Sequence, residues 1–265
     1  MPITPRSTPA FGSGTADADA PDFDRALGLA APVEGWMSDD QARRLWAAAA
    51  RLPAGATVVE IGSYRGRSMI MLGTAAPPDA HLVAIDPHAG NDRGPREWVG
   101  TDVEGEADNA AFRANLETAG LSGRVRHVRK FSDQALGDVT GEIDLLYVDG
   151  AHSYQPALAD IVRWGARVPV GGTLLIHDSF SSVGVTLALL RALFISGDFQ
   201  YVGRSRSLAE YRRVGAGQVR RIENAARQAA QLPWFARNLV IKTLIVAKLQ
   251  PAARALNHGS DDWPY

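Results

Sequence analysis

The stretch TVVEIGSYRGRS, residues 57–68, decides the fold. Thr57, Val58, Val59 and Ile61 form a short β-branched apolar run of the kind that suits a parallel strand covered on both faces. Gly62 and Gly66 bracket a polar turn, and Ser68, Met69, Ile70, Met71 and Leu72 supply the first apolar turns of a helix directly after it. A strand that passes into a helix through a glycine turn leaves backbone N–H groups exposed near residues 62–67. A small ligand can then lie across the carboxyl ends of a doubly wound sheet.

Working outward, the acid before the turn narrows the ligand. A dinucleotide calls for G-x-G-x-x-G, so that backbone can reach the pyrophosphate, whereas this chain has G-S-Y-R-G preceded by Glu60. A carboxylate there repels phosphate and can receive the ammonium of an amino-acid-like ligand. The next strand, HLVAI at 81–85, ends in Asp86, which is placed to accept both hydroxyls of a ribose or simply to close a turn before Pro87. A third strand, RVRHV at 124–128, leads to Asp133, either an adenine partner or a helix N-cap. A fourth, nearly continuous apolar run at 143–148 ends in DGAHSY, with Asp149 at its carboxyl end and His152 three residues on. The fifth, TLLI at 173–176, ends in His177 and Asp178. Two adjacent strands therefore both finish in side chains able to bind a metal.

Taken in this order the motifs resemble those of class I S-adenosylmethionine-dependent methyltransferases, from about residue 35 to about 214. The form E-I-G-x-x-x-G-x-S is similar to a branch that includes metal-dependent O-methyltransferases of macrolide sugars, mycobacterial sugar methyltransferases and cephalosporin-hydroxylase-like proteins. The resemblance implies an α/β fold: a Rossmann-like, doubly wound, mostly parallel seven-stranded sheet. The segments 199–202 and 208–214 would form its reversed C-terminal hairpin. It implies S-adenosylmethionine held by Glu60, Gly62, Ser63, Tyr64, Gly66, Ser68, Asp86, Asp133 and Asp149, with His152 as general base. It also implies a divalent metal, Mg²⁺ first, on Asp149 and Asp178. In the metal-dependent relatives the positions of His177 and Asp178 tend to be an acidic pair, so His177 is a ligand, a neighbour of the ligands, or merely part of the strand end.

At 265 residues the chain suits one α/β domain with terminal additions. A formal net charge of -1 gives no reason to expect nucleic acid, and the lack of cysteine excludes disulfides and thiolate chemistry. No basic segment followed by an apolar core opens the sequence, and a cytoplasmic location is expected. Residues 1–21 are rich in Pro, Ser, Gly, Ala and Asp without periodicity and read as a disordered tail. Order is expected to begin near residues 33–38, where Ser38 caps a helix carrying Ala42, Leu45, Trp46 and Ala49. Trp36 precedes that helix, as packing or as part of the cofactor pocket. The polar segment 88–109 reads as a long substrate-side loop in which Trp98 offers an apolar surface, and Phe112 restarts a helix.

The methyltransferase domain is expected over 22–214 and a helical extension over 215–265. Between Arg204 and Arg254 lie nine arginines and two lysines against Glu210 and Glu223. Arg237, Lys242 and Lys248 interrupt the apolar run of this extension, which argues against a membrane span. Docking onto the domain or a second subunit of a homodimer is the favoured reading; contact with anionic lipid or a lipid-linked acceptor is the alternative. The function expected is O-methylation of a hydroxyl on a sugar or glycosylated small molecule. The competing readings are an NAD-dependent oxidoreductase, which fits Glu60 poorly, and a non-catalytic nucleoside-binding protein with a basic arm.

Overall fold

The computed structural model describes residues 20–89, 101–215, 217, 220–249, 251 and 256. Its centre is a seven-stranded sheet built from β1 (Thr57–Ile61), β2 (His81–Ile85), β3 (Val125–Val128), β4 (Leu145–Val148), β5 (Thr173–Ile176), β6 (Phe199–Ser205) and β7 (Leu208–Arg213). The strand order is β3-β2-β1-β4-β5-β7-β6. The first five strands run parallel, while β7 pairs antiparallel with β5 and with β6, the reversed hairpin expected from the sequence. The order reverses between β1 and β4, and ligands of open α/β sheets bind outside such a reversal.

Alternation along each strand sorts the core into two layers. Val58, Leu82, Ala84, Leu145 and Leu175 face α1 (Ala20–Ala30), α2 (Asp39–Ala50), α3 (Arg67–Ala75) and the Phe112 and Leu116 side chains of α4 (Asp102–Thr118). Val59, Ile61, Val83, Ile85, Leu146, Val148, Leu174 and Ile176 face α5 (Tyr154–Gly165) and α6 (Val183–Ala192), where Trp164 is fully enclosed. The register puts Val59 beside Val83 on one side and Leu146 on the other. Ile61 and Val148 are likewise neighbours, so the residues that follow them emerge together at one end of the sheet.

Two boundaries differ from the sequence reading. Order begins earlier: α1 buries Phe23, Ala26 and Ala30 at helical spacing, a pattern diluted in the sequence by Pro, Asp and Gly neighbours. The segment read as a loop to residue 109 is helical from Asp102. Thr101 and Glu104 form a reciprocal capping box that starts α4 there. Trp98 and residues 1–19 lie outside the described residues. Ser38 caps α2 as expected, with Gln41 completing its capping box.

The chain ends in α7 (Arg221–Ala229) and α8 (Leu232–Val246). Asn224 and Gln228 are buried and tie α7 to the hairpin: Asn224 Oδ1 accepts the Tyr201 N–H at 2.7 Å, and Tyr211 donates its hydroxyl to Gln228 Oε1 at 3.0 Å. Leu232, Trp234 and Phe235 pack against the second core layer and Ile241 is fully buried, so α8 docks on the domain. Among the described residues no helix is long and apolar enough to cross a membrane.

Candidate active site

A cleft of about 1140 Å³ opens over the carboxyl ends of β1, β2, β4 and β5. Its cofactor half is framed by the first glycine turn. Gly62 has φ 85°, and a Cβ there would stand 2.2 Å from the Asp149 carbonyl oxygen, so only glycine lets the β1 and β4 ends approach this closely. Asp86 organises the turn from β2: Oδ2 accepts the Tyr64 N–H and Oδ1 the His88 N–H, each at 2.8 Å. The carboxylate stays partly open to the cleft, with each oxygen keeping a lone pair for a hydroxyl. Ser63 and Arg67 also line it; Ser63 Oγ is buried without a partner among the described residues, and Arg67 holds the Gly35 carbonyl through Nη1 at 2.8 Å. An orphaned hydroxyl and a guanidinium lining the same cleft suit the carboxylate of an amino-acid-bearing nucleoside. Trp36 stacks on Tyr64 with ring centroids 5.8 Å apart, at the rim of the same cleft.

The expected residues do not all reach the ligand space. Tyr64 and Ser68 line the cleft, whereas Gly66 instead packs beneath Phe112. Glu60 is fully buried and does not line the cleft; Ser68 donates its hydroxyl to Glu60 Oε1, and Oε2 has no hydrogen-bond partner among the described residues. Burial pushes its carboxyl up to about 8. Direct receipt of a ligand ammonium, as read from the sequence, is therefore not the arrangement seen; Glu60 supports the turn from behind. Asp133 is exposed on the cleft wall within a run of turns, so the helix N-cap reading fails for want of a helix.

The second half of the cleft gathers the ends of β4 and β5. Asp149, His152, His177 and Asp178 all line it. Asp178 occupies a left-handed backbone position, φ 54°, which turns the chain sharply after β5. Its Oδ2 lies 2.9 Å from His152 Nε2. Burial alone would raise the Asp178 carboxyl, but the His152 hydrogen bond and the nearby His177 and Lys242 hold it below the usual carboxylate range. His152 itself is partly exposed, with its carbonyl against Gly184 and accepting from Ser182 Oγ at 3.2 Å. A partly exposed imidazole oriented by a buried carboxylate can accept a proton and be stabilised once charged.

Asp149 takes the Tyr147 hydroxyl on Oδ2 at 2.7 Å and faces His177 Nδ1 through Oδ1 at 3.1 Å. The same nitrogen lies 3.9 Å from Asp178 Oδ2. Burial would lower the His177 imidazole, but Asp149 and then Asp178 raise it. Asp149, His177 and Asp178 are thus brought together, as the sequence suggested, yet Asp149 and His177 face each other as hydrogen-bonding partners, with Asp178 close to the same ring nitrogen. Among the described residues no group of three His, Asp or Glu side chains is arranged to hold a metal ion. The expected ligand set of Asp149, His177 and Asp178 therefore does not fit a cation.

Three contributors were missed from sequence. Gln41 of α2 reaches His177 Nε2 at 3.1 Å through its amide nitrogen. Leu239 and Lys242 of α8 line the cleft, and Lys242 donates to the Ser181 carbonyl at 3.0 Å. All are contacts across long sequence distances, for which periodicity carries no signal.

Residues 59–179, from β1 to just past β5, match the family described as a methyltransferase domain. Over these residues the chain is similar to a methyltransferase domain. The fold of the chain is similar to cofactor-bound Rv0187 from MTB, with TM-score 0.53, 20% identity, and coverage of 75% of this chain and 92% of that one. It is also similar to the O-methyltransferase TomG from Streptomyces achromogenes, involved in tomaymycin synthesis and solved in complex with SAM. There the TM-score is 0.52 at 17% identity, covering 73% and 90% of the two chains. A curated relative, the uncharacterized protein R132 of Acanthamoeba polyphaga mimivirus, is 27% identical over 128 residues. That match takes in 46% of this chain and about half, 51%, of the relative. The matched region ends at Ser179, directly after the His177-Asp178 pair.

Proposed function

We propose that this protein is an S-adenosylmethionine-dependent O-methyltransferase acting on a hydroxyl of a sugar or glycosylated small molecule. The observation that carries the reading is the pairing of His152 with buried Asp178, in the same cleft as the Gly62 turn and Asp86. At about 1140 Å³ the cleft exceeds the roughly 300–1000 Å³ of ordinary small-ligand sites, which supports a cofactor and an acceptor side by side. Trp36 and Tyr64 offer an aromatic face at its rim, and Leu239 with Lys242 offers a mixed apolar and cationic wall.

When bound, S-adenosylmethionine supplies an electrophilic methyl on a sulfonium. Asp86 would accept the ribose hydroxyls, with Ser63 and Arg67 on the amino-acid carboxylate. Neutral His152, with its Nε2 hydrogen on Asp178, keeps its lone pair on Nδ1, which takes the acceptor's hydroxyl proton as the oxygen attacks. Asp178 then stabilises the imidazolium and fixes the ring's orientation. No step is assigned to a metal, because the donors expected to hold one are engaged with each other. Titration with S-adenosylhomocysteine and with NAD separates this reading from an oxidoreductase on the same fold. Transfer of labelled methyl to a panel of glycosylated hydroxyls tests the acceptor class, and binding without any transfer would contradict it.

A further inference from the structure

Gln41 and His177 are 136 residues apart in sequence and both are buried. The Ser38 backbone N–H donates to Gln41 Oε1 at 2.8 Å, and Ser38 Oγ donates to the same oxygen at 3.1 Å. A backbone N–H can only donate, so the capping box of α2 fixes which end of the amide is oxygen. The other end, Nε2, must be the NH₂. It donates to Ser207 Oγ at 3.0 Å and faces His177 Nε2 at 3.1 Å. An NH₂ offers hydrogens alone, so His177 Nε2 carries the lone pair and the ring hydrogen sits on Nδ1. That hydrogen points at Asp149 Oδ1, 3.1 Å away, with Asp178 Oδ2 3.9 Å from the same nitrogen.

The consequence is chemical. A metal-binding imidazole needs its lone pair, not its hydrogen, toward the ion. To turn the Nδ1 lone pair toward Asp149 and Asp178, His177 would have to carry its hydrogen on Nε2, against the Gln41 NH₂, whose oxygen cannot rotate in without breaking the cap of α2. Donor would face donor in a buried site.

We propose that Gln41 locks His177 as the Nδ1–H tautomer, so that a ring N–H donated to Asp149, in place of a divalent cation, occupies the space between Asp149 and Asp178 at the ends of β4 and β5. Gln41 is a positioning residue in this account. The lock deepens the methyltransferase reading by making this chain's version of the site cation-independent, and it rests on that reading only for its catalytic meaning.

Two readouts that need no turnover test it. Long-range ¹⁵N–¹H correlation of the labelled full chain reports the tautomer, and Mn²⁺ titration followed by electron paramagnetic resonance reports cation uptake. In the parent, His177 should show a protonated Nδ1 and an unprotonated Nε2, with no saturable Mn²⁺ binding at the site. Gln41→Glu keeps an oxygen for Ser38 while presenting a second one to His177, so Nε2 can carry a hydrogen and Mn²⁺ can displace the Nδ1 proton to solvent, and Mn²⁺ affinity rises by roughly tenfold or more. His177→Asp, which makes the pair acidic, should also gain Mn²⁺ binding. Stoichiometric Mn²⁺ binding by the parent that is lost in Asp149→Asn would overturn the proposal, as would an Nε2–H tautomer or a doubly protonated ring in the parent. Folded variants, both without Mn²⁺ uptake, would equally overturn it. Calorimetry with S-adenosylhomocysteine on the same samples keeps the two readings apart. A parent with the Nδ1–H tautomer but no cofactor binding contradicts the methyltransferase reading and leaves the lock standing.

Discussion

His152 Nε2 stands 2.9 Å from Asp178 Oδ2, and Asp178 is almost entirely buried while the imidazole stays partly open to the cleft. In the proposed function, the buried acceptor and the partly exposed ring are the orienting half and the working half of a proton-transfer pair. The β4 and β5 strands set the distance, because Val148 and Ile176 are register partners and His152 and Asp178 follow them closely.

His152→Ala should lower methyl transfer by roughly 10² to 10⁴-fold while leaving S-adenosylhomocysteine affinity nearly unchanged. The acidic limb of the pH-rate profile should disappear with it. Asp178→Asn should also slow transfer, because an amide cannot stabilise the imidazolium as a carboxylate does. Single-turnover rates measured with saturating cofactor check both.

Gly62→Ala should fail for a backbone reason. At φ 85°, with a Cβ 2.2 Å from the Asp149 carbonyl oxygen, the substitution forces β1 and β4 apart at the cleft. A loss of roughly 2 to 4 kcal/mol in urea unfolding is expected, together with loss of cofactor binding. Gly28 in α1 is the contrast: a Cβ there meets nothing within 4 Å, and Gly28→Ala should stabilise by up to about 1 kcal/mol.

Glu60 predicts a pH dependence of stability. Burial raises its carboxyl from 4.5 to about 8, so the native state keeps a proton that the unfolded chain releases near 4.5. Its contribution is full below about pH 4.5 and is lost as pH climbs toward 8. Asp160, pushed up to about 6 by burial although Ser132 donates to it at 2.5 Å, acts in the same direction over a lower range. Glu60→Gln keeps an acceptor for Ser68 and removes the titration. Its melting temperature should fall less than the parent's between roughly pH 5 and pH 8.5. Identical slopes in the two proteins would show that the buried acid does not titrate in this window.

The strand ends were legible because each is a short apolar run that stops at a charged or glycine residue. Glu60-Ile61-Gly62, Ile85-Asp86, Val148-Asp149 and Ile176-His177-Asp178 all read that way. Strand alternation and the Ser38 cap were legible for the same local reason. The α4 start was not, since Asp102, Glu104 and Gly105 look like loop composition although Thr101 and Glu104 cap a helix. Glu60 shows a different limit: its place before the turn was readable, but its complete burial depends on how α3 and β1 pack. Gln41 and Lys242 lay beyond sequence reasoning because each meets the site only after α2 and α8 dock.

The most direct test of the account is calorimetric titration of the parent and of Asp86→Ala with S-adenosylhomocysteine and, separately, with NAD. Asp86 is held in place by the Tyr64 and His88 N–H groups and opens onto the cleft, so it should be the ribose anchor. The account predicts one S-adenosylhomocysteine per chain, no binding of NAD, and a roughly tenfold to hundredfold loss of affinity in a folded Asp86→Ala protein. Binding of NAD with S-adenosylhomocysteine silent, or unchanged affinity in the folded variant, would contradict it.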